Sequence, residues 1–119
     1  TSDADCVDLP MAVLVNGGTY SAAELFAAQL QEMDRGIIVG EPTFGKGFSQ
    51  QTFPLMSGGA VNLSTARYYT GGGVCLIGAG LTLDREVTLT EEQNAALSAG
   101  VLAPEDDPQL QAAVDLLKG

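Results

Sequence analysis

Two residues of this sequence, Ser21 and Lys46, could together carry nucleophilic chemistry. A serine hydroxyl is a weak nucleophile until a neighbouring base takes its proton, and histidine is the usual base. The chain contains no histidine. Lysine is the remaining side chain that can serve, because removal from water disfavours its charged form. The sequence therefore directs attention to a serine–lysine pair.

The chain has two lysines, Lys46 and Lys118. Lys118 falls in the last turn of a predicted terminal helix, where a cation interacts favourably with the helix dipole. Lys46 stands between Gly45 and Gly47, in a stretch from 43 to 82 that contains no carboxylate. Composition alone favours a solvated loop lysine at this position. The glycine-flanked setting nevertheless makes Lys46 the candidate base.

Ser21 is predicted to lie at a turn between a strand and a helix. Residues 11–15 form a short apolar run, which predicts a buried strand, and residues 16–18 end it as a turn. Ser21 and Glu24 also have the spacing of a capping box, in which the serine simply caps the helix. The cap and the nucleophile are compatible roles only if the hydroxyl also faces a cleft.

A strand–helix–strand succession surrounds these residues. The helix is predicted to place Leu25, Phe26, Leu30 and Met33 on its core-facing side and to end with Gly36 as its C-cap. A β-branched run at 37–39 predicts the next strand. This order predicts the α/β fold class, with a βαβ unit in a mixed sheet.

The later part of the chain predicts a hairpin and two helices. Residues 50–55 and 60–69 are extended stretches separated by the turn residues 57–59. Residues 81–89, whose alternation is weak, are predicted as a further strand. Thr90 opens a capping box for a helix to about Ser98, and a second helix begins at residues 107–108.

Composition excludes several classes of function. Five basic residues against fifteen acidic ones give a net charge of -10, which leaves little with which to neutralise a nucleic-acid backbone. Cys6 and Cys75 lack metal-type spacing and the chain has no histidine, so we expect no metal site. We expect no other cofactor. A disulfide between them is left open for an exported protein. The length predicts one domain or part of one.

Four segments together resemble the C-terminal processing peptidases, also called tail-specific proteases, a serine peptidase family with a Ser-Lys dyad. They are residues 13–17, 21–25, 35–47 and 65–70. Lys46 follows Ser21 by 25 residues, as the family pattern requires. The resemblance implies that Ser21 is the nucleophile and Lys46 its base, that Gln50 orients the lysine amine, and that the Ala22 N–H gives one half of the oxyanion hole.

The resemblance also implies a fold and a context. The fold would be the later part of a ClpP/crotonase-like core. Residues 1–119 would be the C-terminal portion of a catalytic domain, with the upstream catalytic segment and the PDZ domain absent, so we expect little activity from this chain alone. The partners implied are a protein or peptide substrate and the upstream part of the same domain, with a homo-oligomer left open. Export to the periplasm or cell envelope is implied in the same way.

Serine endopeptidase activity near substrate C-termini is thus the function that the sequence favours. A non-catalytic remnant that serves assembly or peptide binding is the alternative. A crotonase-like acyl-CoA enzyme ranks last, because the stretch around Lys46 offers no carboxylate for enolate chemistry.

Overall fold

The computed structural model describes residues 6–119. Its centre is a parallel sheet of three strands, β1 (Ala12–Val15), β2 (Ile37–Gly40) and β5 (Arg85–Glu86), in the order β1-β2-β5. Ala12 pairs with Ile37, and Val39 pairs with Arg85. Helix α1 (Ala22–Glu32) connects β1 to β2. The predicted βαβ unit and the α/β fold class are therefore confirmed.

The core lies between α1 and the sheet. Its buried members are small or branched side chains, which let the helix approach the strands closely: Val15, Ala27, Ala28, Ile38, Leu76 and Leu81. The prediction that Phe26 and Met33 face this core is wrong, since they are 67% and 63% exposed. Leu25 does pack against the core as a partly buried residue, while Ala27 and Ala28 are the fully buried apolar residues of the helix.

The end of α1 also differs from the prediction. Met33, not Gly36, is the C-cap residue, and the next residue, Asp34, adopts the left-handed conformation with φ 53°. The short polar side chain of aspartate tolerates this conformation better than most residues. The N–H groups of Arg35 and Gly36 then both donate to the Leu30 carbonyl, at 2.8 and 3.2 Å.

A two-stranded antiparallel hairpin follows the first sheet. It consists of β3 (Phe48–Pro54) and β4 (Ala60–Arg67), as predicted, with a register irregularity between Ser49 and Gln50. Every residue of both strands is exposed. The pairing of Phe53 with Val61 and of Gln51 with Leu63 places three apolar side chains on one face.

Two helices and a 3₁₀ turn complete the described chain. Helix α2 spans Glu91–Ser98, the 3₁₀ turn spans Pro104–Asp106, and α3 spans Pro108–Lys118. Thr90 caps α2 by accepting from Gln93 N at 3.2 Å. Asp107 caps α3 by accepting from Gln109 N and Leu110 N. Both helices confirm the prediction, and α3 packs on β1 and β2.

The remaining sequence predictions concern the two cysteines and the likeness to a known fold. Cys6 and Cys75 are both free thiols, so no disulfide joins them. Within residues 6–119, no helix is long and apolar enough to cross a membrane, and no group of three potential metal ligands occurs. The likeness to a ClpP/crotonase-like core stays a prediction.

Candidate functional site

Ser21 has an unusual backbone conformation at the turn between β1 and α1. Its φ is 58° and its ψ is -121°, and it precedes the first helical residue, Ala22. Positive φ in a residue with a side chain costs about 1 to 3 kcal/mol and persists where the surroundings enforce it. A sharp, strained strand-to-helix turn is also how nucleophile elbows expose a catalytic serine.

Local hydrogen bonds build the loop that leads to Ser21. Thr19 N donates to the Asn16 carbonyl at 2.8 Å, and Asn16 N donates to Thr19 Oγ1 at 3.1 Å. Gly18 N donates to Asn16 Oδ1 at 2.9 Å. These reciprocal bonds close the loop on itself. The turn is therefore ordered by its own side chains.

Glu24 connects the Ser21 turn to the Lys46 loop. It is 0% exposed, yet its carboxylate accepts four hydrogen bonds. Oε1 accepts from Thr43 Oγ1 and from Gly45 N, both at 2.7 Å. Oε2 accepts from Ser21 N at 2.9 Å and from Lys46 N at 3.0 Å. One carboxylate oxygen thus holds the backbones of the two candidate catalytic residues side by side.

Sequence reasoning assigned Glu24 only the capping-box role. The Glu24 half of that box is present as the bond from Ser21 N. The Ser21 side chain faces the Glu24 backbone N–H as in the other half of the box, without a regular capping hydrogen bond. The capping-box spacing was the available signal for Glu24, but its contacts with residues 43–46 depend on tertiary structure.

The Lys46 loop is held by its backbone on several sides. Phe44 N donates to the Thr19 carbonyl at 3.1 Å, and Gly78 N donates to the Gly45 carbonyl at 3.0 Å. The Tyr68 hydroxyl donates to the Lys46 carbonyl. The loop therefore bonds to the Ser21 turn on one side and to the residues after β4 on the other.

Glycine is required on both sides of Lys46. Gly45 has φ 78°, and a Cβ there would lie 3.0 Å from the backbone atoms of Gly78 and Gly80. A Cβ on Gly47 would lie 2.4 Å from the Ile77 side chain. Close approach of neighbouring segments, rather than flexibility, accounts for the glycine-flanked lysine that the sequence singled out.

The Lys46 side chain is half-buried and lies against an aromatic ring. Its Nζ atom is 5.8 Å from the centroid of the Tyr20 ring. The salt bridges of the described chain, Arg35–Asp8 and Lys118–Asp115, do not include it. The structure therefore places the candidate base beside the candidate nucleophile's turn, without an ionic partner in residues 6–119.

The other two candidate residues differ in their surroundings. Ala22 is the exposed first residue of α1, and within residues 6–119 its N–H donates no hydrogen bond, as expected of a free first-turn donor. Gln50 lies on the exposed strand β3, opposite Ser64. No hydrogen bond joins the Gln50 side chain to Lys46 in the described chain, so its orienting role stays a prediction.

A surface cleft lies at the opposite end of the parallel strands. Its lining includes Met11, Gly36 and Ile37 at the amino ends of β1 and β2, and Arg35, which forms an ion pair with Asp8 at 2.7 Å. Ser21 and the Lys46 loop instead follow the carboxyl ends of β1 and β2. The candidate site therefore occupies the sheet edge where open α/β sheets bind ligands.

Comparison with known proteins identifies the family. The model of peptidase family S41 matches residues 1–87. A carboxy-terminal-processing protease of Bartonella bacilliformis is 37% identical over 92% of this chain and 32% of that protein. A carboxyl-terminal-processing protease of Synechocystis is 41% identical over 94% of this chain and 25% of that protein.

A solved structure agrees with these relatives. The photosystem II D1 C-terminal processing protease superposes with a TM-score of 0.67 at 38% identity, covering 85% of this chain and 26% of that one. The chain thus spans about a quarter to a third of the length of these relatives. The resemblance inferred from the four sequence segments is confirmed, and the chain belongs to peptidase family S41.

Proposed function

We propose that this chain carries the Ser-Lys dyad of a serine endopeptidase that cleaves near substrate C-termini. Ser21 is the nucleophile, Lys46 its general base, Ala22 N–H an oxyanion donor, and Gln50 the residue that orients the lysine amine. The observation that carries this proposal is the shared contact with Glu24, which joins the strained Ser21 turn to the Lys46 loop. Family membership supports the reaction class.

The mechanism proceeds by acyl transfer. Ser21 Oγ attacks the substrate carbonyl carbon while its proton passes to Lys46 Nζ, and the resulting oxyanion accepts from Ala22 N–H. Collapse of this intermediate breaks the C–N bond, and the Lys46 ammonium gives its proton to the leaving amine. Water then attacks the acyl ester, losing a proton to Lys46, and Ser21 is released with its proton restored.

We also propose that residues 1–119 are the C-terminal portion of a larger catalytic domain. The hairpin β3–β4 supports this, because both of its strands are exposed although one face carries Phe53, Val61 and Leu63. A two-stranded hairpin is marginal in water unless a further element packs on it. The lengths of the relatives accommodate such an upstream part. Export to the periplasm or cell envelope is proposed on the ground of family membership.

Covalent labelling of the full-length protein tests the dyad. A fluorophosphonate should label the wild type, Ser21→Ala should abolish labelling, and Lys46→Met should reduce the rate by at least about 100-fold, as expected for loss of a general base. Ser57→Ala, in the exposed hairpin turn, is the matched serine control and should label normally. A wild type that is not labelled would instead favour the non-catalytic remnant.

A further inference from the structure

The ring of Tyr20 provides the aromatic face against which Lys46 lies. An ammonium within about 6 Å of a ring centroid is attracted by the electron-rich face, and here the distance is 5.8 Å. Tyr20 is itself held by Phe44, whose ring meets it edge-on with centroids 6.1 Å apart and an interplanar angle of 60°. Tyr20 directly precedes Ser21 in the chain. The ring therefore links the nucleophile's turn to the base.

Other groups near Lys46 are already engaged. The Glu24 carboxylate, from α1, accepts two hydrogen bonds at each oxygen, which fills the roughly four acceptor positions of a carboxylate. The Tyr68 hydroxyl, beyond β4, donates to the Lys46 carbonyl rather than interacting with the amine. No salt bridge in residues 6–119 includes Lys46. The described chain thus shows one aromatic face, that of Tyr20, in contact with the Lys46 amine.

We propose that Tyr20 is a positioning residue, which holds the Lys46 amine beside the Ser21 turn and stabilises the ammonium that forms when Lys46 takes the serine proton. This inference rests on the proposed function, since it assigns Tyr20 a part in the same proton transfer. The proton moves from Ser21 Oγ to Lys46 Nζ, and the ring contacts the product of that transfer without itself reacting.

The contribution of the ring depends on the starting charge of the lysine. Where Lys46 is already charged in the resting enzyme, the ring stabilises the resting state and the transition state alike and leaves the rate unchanged. Where the resting lysine is neutral, it becomes charged only in the transition state. The ring then accelerates the reaction, by about two- to fivefold for a cation–π contact at a partly exposed site.

Two substitutions at Tyr20 separate the ring from the hydroxyl. Tyr20→Phe keeps the aromatic face, whereas Tyr20→Leu keeps an apolar side chain and removes the face. Rates of fluorophosphonate labelling of the full-length protein would be measured for both across the acidic limb and the alkaline plateau. Tyr20 is 57% exposed, so neither change should prevent folding. Tyr69→Leu, at a second exposed tyrosine, is the control.

We expect Tyr20→Phe and Tyr69→Leu to follow the wild type at every pH. Tyr20→Leu should match it on the acidic limb and be about two- to fivefold slower on the plateau. The proposal would be overturned if Tyr20→Leu labelled at the wild-type rate at every pH, or if it were slower by the same factor at every pH. It would also be overturned if Tyr20→Phe were as slow as Tyr20→Leu. Failure of the dyad itself is seen separately, as a wild type that is unlabelled or a Lys46→Met variant that labels normally.

Discussion

At the scale of single residues, Glu24 has the largest structural consequence in the candidate site. Two of its donors belong to the Ser21 and Lys46 backbones, and the other two belong to Thr43 and Gly45. Hydrogen bonds to a charged group contribute more than neutral ones, and a buried donor left unpaired is costly. The position of the candidate nucleophile relative to the candidate base therefore depends on one buried carboxylate.

Glu24→Gln should weaken both the fold and the site. The amide nitrogen of glutamine would face two of the four donors, so we expect the free energy of unfolding of the full-length protein to fall by about 3 kcal/mol. Displacement of Ser21 from Lys46 by about 1 Å would slow fluorophosphonate labelling roughly 100-fold. Denaturant unfolding and labelling kinetics measure these two effects.

The control for this change is Glu92→Gln, because Glu92 is exposed in the first turn of α2. The free energy of unfolding of the Glu92→Gln variant should differ from that of the wild type by less than about 0.5 kcal/mol, as for most surface substitutions. A Glu24→Gln variant as stable and as reactive as Glu92→Gln would contradict the connecting role of Glu24.

At the scale of elements, the loop between β2 and β3 sets the position of Lys46. Thr43 Oγ1 both donates to Glu24 and accepts from Leu81 N at 2.9 Å, and Gly45 contacts the backbone of Gly78 and Gly80. The loop is thereby packed between α1 and the segment before β5. Its glycines are needed for contact, which a glycine-flanked lysine does not reveal in the sequence.

Gly45→Ala should destabilise this loop more than an otherwise similar glycine substitution. Gly45 and Gly58 both have positive φ, at 78° and 86°, so alanine costs about 1 to 2 kcal/mol of backbone strain at either position. A Cβ on Gly45 also meets backbone atoms at 3.0 Å, whereas one on Gly58 meets nothing within 4 Å. Overpacking should add about 1 to 3 kcal/mol at Gly45.

Chemical denaturation of the two variants in the full-length protein gives this difference directly. Labelling of Ser21 should also slow in Gly45→Ala and stay normal in Gly58→Ala, because only the first loop holds Lys46. Equal destabilisation by both alanines would show that the close contacts around Gly45 add nothing to the cost of the substitution.

At the scale of the whole molecule, the described chain is more extended than a typical domain of its length. The radius of gyration is 17.6 Å, whereas a compact domain of this size has about 13 to 14 Å. The hairpin is one cause, since β3 and β4 make no extensive contact with any other described helix or strand. Its apolar face is the surface on which we propose that the upstream part of the domain packs.

Hydrogen exchange compares the isolated chain with the full-length protein. We expect the amides of β3 and β4 to exchange at least about tenfold more slowly in the full-length protein, because a covered hairpin opens less often than an isolated one. The buried residues Ile38 and Val39 of β2 serve as the internal reference for folding of the isolated chain. Equal exchange of the hairpin in both proteins would exclude upstream packing on it.

The sequence by itself determined the fold class, the hairpin, the α2 and α3 helices and the identity of the candidate dyad. These follow from local patterns: apolar runs, turn residues, capping boxes, the absence of histidine and the spacing of Ser21 and Lys46 within family motifs. Each depends on residues close together in the chain, or on a separation that can be counted. Such features can be inferred without knowing which distant residues meet.

Only the tertiary structure decided how the site is held together. Three features depend on how the elements around α1 pack together. Glu24 is buried against the Lys46 loop, that loop contacts Tyr20, and Ala27 and Ala28 rather than Phe26 lie in the core. Helical periodicity ranks residues by hydrophobicity, but packing selects them by size and available space. For that reason Glu24, first interpreted only as part of a capping box, proved to connect the candidate nucleophile to its candidate base.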